Sequence, residues 1–188
     1  METTNKNQWD YLFAHRNYIQ TLTDELNKVE RYTRKNNFRI IGYPEEKDEN
    51  VKTIVKKILT TKLGIEEVEV ERAHRDGKVY KGKGTPRPRH ILVKLLRYSD
   101  KVKIFKGWRT CLKDESYKVV DDLTKFDYEE KKRWRVEVAE LYKKGHKLRF
   151  INGLWRDIKG NKAPFYNKDN VGFQLDPEME NATLNFDR

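Results

Sequence analysis

Apolar side chains in the first 35 residues recur with the period of a helix that packs along another helix. The repeating positions are Leu12, Ile19, Leu22, Leu26 and Val29. Their spacings of seven, three, four and three residues place them at the a and d positions of a heptad repeat. His15 and Thr33 occupy the seam positions at its two ends, so the seam spans two to three heptads. We predict an N-terminal helix over residues 1–35, a short coiled coil that self-associates; packing on its own domain is the alternative.

Strand and helix patterns alternate over residues 36–123. In chain order they predict a strand at 38–43, a helix at 51–59, strands at 68–73 and 90–95, a helix after Ser99 marked by Val102, Ile104 and Phe105, and a strand at 117–120. Asn50 and Ser99 are suitable N-caps for the two helices, and Gly64 ends the first. The stretch from Asp76 to Pro88 contains three Gly and two Pro, which predicts a loop. This β-α-β-β-α-β order predicts an α+β fold, in which a four-stranded antiparallel sheet has both helices on one face and the other face free for a ligand.

A second, smaller α/β unit is predicted at residues 124–168. Thr124 and Asp127 have the spacing of a capping box. One helix follows and ends at Gly145, with an apolar face made of Trp134, Val138, Leu141 and Tyr142. Asn152-Gly153 between two apolar runs predicts a β-hairpin with a type I′ turn. Residues 169–188 are acidic and lack periodicity, so we expect them to be mostly disordered.

Positive charge is concentrated in two segments of the chain. Residues 72–113 contain fourteen Lys and Arg against two acids, a net charge of +12, whereas the whole chain has +11. Residues 131–162 contain eleven Lys and Arg against three acids, a net charge of +8. Local positive charge destabilises the folded state by self-repulsion, so it indicates a partner with repeated negative charges, such as the phosphates of nucleic acid. We expect the two basic segments to form the two sides of one binding cleft.

Other classes of function find little support among the residues. Cys111 is the only cysteine, which excludes an intrachain disulfide framework or a cysteine zinc site. The four histidines lack metal-ligand spacing, and the acid pair Asp121-Asp122 lacks a phosphate-binding glycine loop. No apolar run approaches the roughly 20 residues of a membrane span, and the first residues do not resemble a signal peptide. We therefore expect a binding protein of the cytoplasm or nucleus, without enzymatic activity, cofactor, metal or membrane segment.

Several blocks along the chain resemble those of a known family. They are Asn37–Glu46, Glu71–Arg75, Pro88–Leu95, and Asp122-Leu123 together with Trp134. In order and spacing these blocks are similar to the first-open-reading-frame protein of LINE-one-type retrotransposons, over residues 8–166. The resemblance implies a homotrimeric coiled coil, an RRM-like domain at 36–123 and a small C-terminal RNA-binding domain at 124–168. It also implies a nucleic-acid chaperone that coats its element's RNA in a cytoplasmic ribonucleoprotein and is not an enzyme.

The resemblance also identifies nucleic-acid-binding positions. These positions correspond to places where the family contacts RNA. The places are the start of the first strand, a basic loop, the third strand, the end of the second helix, and the C-terminal domain. The predicted set is Lys35, Asn37, Arg39, Arg75, Lys81, Lys83, Arg87, Arg89, Lys94, Arg109, Lys131 and Arg149. At Asn152 the chain departs from the family, whose mammalian members usually have Tyr-Pro at this place as a base-stacking contact.

Side-chain alternation gives the predicted open face of the sheet an unusual composition. RRM domains stack bases on aromatic side chains of the first and third strands, whereas alternation here places Arg39, Ile41, Leu92 and Lys94 on that face. We expect weak base stacking, phosphate contacts, steep salt dependence and little sequence preference for single-stranded RNA or DNA. Changing Arg39 and Lys94 together to Glu is expected to abolish binding with a nearly unchanged melting temperature. The alternative function is an element-derived oligomeric scaffold or adaptor with incidental RNA affinity, whose N-terminal helix binds a partner.

Overall fold

The computed structural model describes residues 2–78 and 87–167, and the side chains of residues 8–78 and 87–166. The α-helices are α1 (Glu2–Arg34), α2 (Val51–Lys57), α3 (Tyr98–Cys111), α4 (Lys125–Arg133) and α5 (Arg135–Lys143); a π-helical turn (Ile58–Lys62) continues α2, and a 3-10 helix spans Pro164–Asn167. The strands are β1 (Asn37–Ile41), β2 (Val70–Asp76), β3 (His90–Leu95), β4 (Lys118–Asp121), β5 (Arg149–Ile151) and β6 (Leu154–Arg156). The chain divides into two compact units, with the boundary between Thr124 and Lys125. Most of the predicted loop, residues 79–86, and the predicted disordered tail, residues 169–188, lie outside the described residues.

Helix α1 covers 33 residues, which confirms the predicted N-terminal helix. The side chains of its heptad seam are exposed by between 51% and 68%. They therefore do not pack on their own domain within the described part of the chain. The helix ends at Arg34, and a turn at Lys35 and Asn36 leads directly into β1.

One antiparallel sheet organises the first unit. Its strands lie in the order β2-β3-β1-β4. Alternate side chains of these strands point into a single core that also receives side chains from α2 and α3, so both helices lie on the same face of the sheet. The fully buried members of this core include Phe38, Ile40, Val55, Ile91, Val93, Leu95, Ile104 and Val119. This arrangement confirms the predicted order of elements and leaves the other face of the sheet without a covering helix from this core.

The element boundaries differ from the predictions where tertiary contacts decide them. Asn50 caps α2 as predicted, since its side chain accepts a hydrogen bond from the Thr53 backbone N–H at 3.0 Å. The prediction that Ser99 caps α3 is wrong. The helix already begins at Tyr98, and Arg97 is its N-cap residue. The last backbone hydrogen bond to the neighbouring strand segment is made by the Leu96 N–H, which donates to the carbonyl of Glu69.

The second unit contains two short helices in place of the single predicted helix. Helices α4 and α5 are separated at Trp134, whose backbone leaves the helical range with φ −94° and ψ 19°. The Trp134 ring is stacked on Phe165 at 4.6 Å between ring centroids, and its indole N–H donates to Glu130 at 2.7 Å. The break therefore falls at a residue whose side chain belongs to the core of this unit.

A two-stranded hairpin completes the second unit and confirms the sequence prediction. Strands β5 and β6 pair with Ile151 opposite Leu154, leaving a two-residue turn of Asn152 and Gly153. Both turn residues have positive φ, 51° and 78°, as a type I′ turn requires. The core of this unit consists of Trp134, Val138, Leu148, Trp155, Ala163 and Phe165.

Candidate nucleic-acid interface

The uncovered side of the sheet, called the open face below, presents alternate residues of all four strands. Cross-strand pairs fix which side chains share it, since directly opposed residues point to the same side. The open face consists of Arg72, His74 and Asp76 from β2, His90, Leu92 and Lys94 from β3, Asn37, Arg39 and Ile41 from β1, and Lys118 and Val120 from β4. None of these residues is Phe, Tyr or Trp, and the only rings among them are the imidazoles of His74 and His90. The predicted placement of Arg39, Ile41, Leu92 and Lys94 is confirmed.

A basic depression lies on the open face beside the C-terminal end of α1. Its volume is about 540 Å³. The charged side chains that line it are the cations Arg34, Arg39, Arg72 and Lys94 and the acids Asp76 and Asp122. The lining itself carries four positive against two negative charges, and Glu30 and Glu71 outside the lining also pair with Arg34 and Lys94.

Asp122 is the anchor of this depression. Its side chain is only 1% exposed, yet it accepts hydrogen bonds from Arg39 Nε at 2.6 Å, Arg34 Nη1 at 3.2 Å and Asn37 Nδ2 at 3.1 Å. Three donors around one buried carboxylate satisfy its charge. The contacts tie the end of α1 and strand β1 to the residue that follows β4.

Arg39 is held between two carboxylates. Besides Asp122 it donates through Nη1 to Asp76. Burial lowers the pKa of the Arg39 guanidinium, but hydrogen bonds to Asp76 and Asp122 outweigh burial and raise it. The expectation that Arg39→Glu leaves stability unchanged therefore does not follow, because the variant would bring three carboxylates together. The charge of Arg39 is therefore largely compensated by Asp76 and Asp122, and its main contribution is to hold these two carboxylates in place.

Arg72 and Lys94 provide the available charge of the depression. Arg72 is exposed and has no ion pair or hydrogen bond among the described residues. Lys94, opposite Arg72 in the sheet, pairs with Glu71 at 2.7 Å, and both side chains of that pair are well exposed. An exposed ion pair contributes little stability, so a phosphate can replace Glu71 at small cost. Arg72 was missing from the predicted set, although alternation from the inward-facing Ala73 would have placed it on the open face.

Arg75 and Arg89, both in the predicted set, hold the loop after β1. The Arg75 side chain is 4% exposed; it donates to Glu49 at 2.6 and 3.0 Å and to the backbone carbonyls of Tyr43 and Arg89 at 3.0 and 2.7 Å. Arg89 pairs with Glu45, with its Nε at 2.9 Å. These guanidinium groups are engaged within the protein, and neither belongs to the open face.

The Arg75–Glu49 contact predicts acid sensitivity. The hydrogen bond from Arg75 lowers the pKa of Glu49 below its ordinary value of 4.5. A lowered folded-state pKa adds stability that is complete above the unfolded-state pKa and is lost as the pH falls through the folded-state value. Between pH 6 and about pH 3, denaturant titrations should show a steeper loss of stability for wild type than for Glu49→Gln. Parallel pH profiles of the two proteins would contradict this contribution.

Several other predicted contacts lie apart from the depression. Lys35 is exposed, with Nζ 4.4 Å from the centre of the Tyr32 ring, and Arg109 is exposed with its guanidinium 5.7 Å from the Trp108 ring. Arg87 is exposed before β3. Asn37, by contrast, lines the depression and donates to Asp122. Lys81 and Lys83 lie outside the described residues.

The predicted contacts of the second unit lie on different elements. Lys131 of α4 places Nζ 5.7 Å from the centre of the Phe150 ring, and Arg149 is exposed on β5. Asn152, the departure from the family pattern, occupies the first turn position with positive φ. Asn tolerates that conformation better than most residues, which explains its presence there.

Comparisons with known proteins identify no relative of this chain, so the functional argument rests on the geometry of the open face. The chain matches no protein-family model and no curated protein. Within the described residues, no cluster of three or more His, Cys, Asp and Glu has the geometry to hold a metal ion. No described helix is both long and apolar enough to cross a membrane.

Proposed function

We propose that this protein binds single-stranded nucleic acid, RNA above all, through the open face of an RRM-like domain. The observation that supports the proposal best is the open face itself, a basic surface without a covering helix from the core beneath it. The β-α-β-β-α-β order and the strand order β2-β3-β1-β4 are those of RRM domains, which bind RNA on this face. The role is one of binding and not of catalysis.

Contacts to phosphate dominate binding in this proposal. The open face has no Phe, Tyr or Trp for base stacking and offers Arg72, Lys94 and Lys118 as charged groups. Neutralising phosphates releases counterions, so affinity depends on salt and little on base sequence. These properties suit a protein that coats RNA of any sequence, and we propose a chaperone of a LINE-type retrotransposon ribonucleoprotein.

Self-association through α1 is the second part of the proposal. The exposed heptad seam offers one apolar stripe along the helix, and a second copy of the same stripe is its natural partner. A homotrimer is the assembly that we propose. The same stripe is compatible with the alternative, a scaffold or adaptor whose RNA affinity is incidental, so RNA binding itself must decide between the two.

A salt titration tests the proposed function. Fluorescence anisotropy with labelled single-stranded RNA of mixed sequence should give binding whose log K falls linearly with log salt, by about 0.7 per phosphate contacted. We expect at least about three phosphates and similar affinities for unrelated sequences. Micromolar or weaker binding at low salt, or a smaller slope, would favour the scaffold function.

The oligomeric state depends on the seam of α1. Leu22→Glu with Leu26→Glu should convert the assembly to a monomer, because charged side chains at a and d positions cannot be buried without partners. Sedimentation velocity measures the change. Asn17→Glu, on the outer side of the same helix, is the control and should leave the assembly intact. A wild-type chain that is already monomeric at micromolar concentration would refute self-association.

A further inference from the structure

Three cations lie side by side across the hairpin of the second unit. Arg149 of β5 is directly opposite Arg156 of β6, and Arg156 forms an isolated antiparallel bridge with Lys162. The three residues thus occupy neighbouring positions across three adjacent segments of chain. We call them the cation row.

The cation row faces away from the core of its unit. Phe150 and Trp155, the next pair along the hairpin, belong to the core side, and alternation turns Arg149 and Arg156 to the opposite side. Lys162 follows because it is paired with Arg156. Directly opposed side chains in an antiparallel ribbon have Cβ atoms about 5 Å apart, so these charges are close neighbours.

No carboxylate compensates the row among the described residues. Arg149 and Lys162 form no ion pair there, and Arg156 donates only to the backbone carbonyl of Gly160, at 2.8 Å. Asp157 is the acid next to the row in sequence. Its carboxylate accepts instead from the backbone N–H of Asn161 at 2.8 Å and from the Asn161 side chain at 3.0 Å.

Such a row is unfavourable for the unliganded fold. Like charges directly opposite each other destabilise a β-ribbon, and three in succession repeat the penalty. An isolated surface cation can point away from a neighbouring charge into solvent. Here cross-strand pairing fixes the Cα positions of the three residues next to one another, so their side chains begin close together. A tetrahedral anion between them would remove the repulsion and accept charge-assisted hydrogen bonds from two guanidinium groups.

We propose that the cation row is a phosphate-binding site, and that its ligand is the phosphate backbone of single-stranded nucleic acid. The identity of the ligand rests on the proposed function, which this site extends to the second unit. The row adds Arg156 and Lys162 to the predicted contact Arg149. It recognises the phosphate group and no base, in keeping with binding that does not depend on sequence.

The first experiment uses sodium tripolyphosphate and the full chain. Amide resonances in ¹⁵N–¹H spectra should shift on titration at Arg149, Arg156 and Lys162 in the wild type and stay in place in Arg156→Gln. The control is Lys159→Gln, which removes one positive charge from the adjacent turn and should behave as wild type. Equal responses of the two variants would overturn the site, as would shifts spread evenly over all basic segments.

Stability without anions gives an independent readout. Arg156→Gln and Lys162→Gln should each unfold at the same denaturant concentration as wild type or a higher one, because each relieves repulsion. Tripolyphosphate should stabilise the wild type more than either variant. If both variants are less stable than wild type without anions, the row is a structural feature and the proposal fails.

Labelled RNA then separates this site from the open face. We expect Arg156→Gln to bind single-stranded RNA about tenfold more weakly than Lys159→Gln, the loss typical of one charged hydrogen-bonding group. Unchanged RNA affinity in Arg156→Gln would refute the row as an RNA contact and leave the open face untouched. If wild type fails to bind RNA while tripolyphosphate still shifts the row, the proposed function fails and the ligand is a free polyphosphate.

Discussion

Replacing Arg72 and Lys94 together with Glu should lower the affinity for single-stranded RNA by about a hundredfold or more at low salt. Each substitution removes a cation from the basic depression and adds an anion that repels phosphate. The slope of log K against log salt should fall by at least about 1.4, the share of two phosphates on a single strand. Fluorescence anisotropy at several salt concentrations measures both effects. Arg72→Gln with Lys94→Gln, which adds no carboxylate beside Glu71, should change stability by less than about 1 kcal/mol, because Arg72 is unpaired and the Lys94–Glu71 pair is exposed.

A matched control separates the site from the net charge of the protein. Lys52→Glu with Lys56→Glu makes the same change of charge on α2, which covers the opposite face of the sheet. Both lysines are exposed. This control should lose little affinity. Equal losses in the two double variants would mean that RNA responds to overall charge and that the open face is not its site.

Asp122→Asn should destabilise the first unit by roughly 3 kcal/mol, the lower end of the range for breaking a buried ion pair, because Arg34 and Arg39 are partly exposed. The carboxylate is buried and accepts from Arg34, Asn37 and Arg39. The Asn side chain has the same shape as Asp but no charge. Its NH₂ group is itself a donor, so it cannot accept the hydrogen bonds that Arg34, Asn37 and Arg39 donate to the Asp122 carboxylate. Urea unfolding should therefore show a lower midpoint with an unchanged slope.

Asp114→Asn is the control for that measurement. Asp114 is an exposed acid without a partner among the described residues, so its replacement should change the free energy of unfolding by less than about 0.5 kcal/mol. If Asp122→Asn is as stable as this control, the network around Asp122 contributes nothing net. RNA affinity of Asp122→Asn, measured where the variant is folded, would then show whether freeing Arg39 strengthens binding.

The local pattern of the chain predicted which side chains enter the core and which face outward. Phe38 and Ile40 alternate with Arg39 and Ile41, and the structure buries the first two and leaves the others on the open face. The hairpin turn at Asn152-Gly153 was equally predictable. In each case the decisive interaction lies within a few residues of the chain, where period and turn chemistry act.

Partners distant in sequence were not predictable from that pattern. Arg39 and Asp122 are 83 residues apart, and Arg75 and Glu49 are 26 apart. From the sequence alone, Arg39 and Arg75 were both predicted to contribute to a basic nucleic-acid-binding surface. Only the fold shows that Arg75 is enclosed by acceptors while Arg72, three residues earlier, is free. The stacking of Trp134 on Phe165, 31 residues later in the chain, was likewise outside the reach of the local pattern.

The short connection between α1 and β1 has a consequence for the strength of binding. Only Lys35 and Asn36 separate the two elements, and Arg34 at the helix end is bonded to Asp122 beneath the open face. In copies joined through α1, the proposed assembly, this short connection would limit how far each open face can move away from the helices. Once one face has captured a strand, the next meets it at an effective concentration in the millimolar range. If the proposed function and assembly hold, avidity of this kind would let individually weak, sequence-indifferent sites retain a long RNA while each site still releases its own few nucleotides quickly.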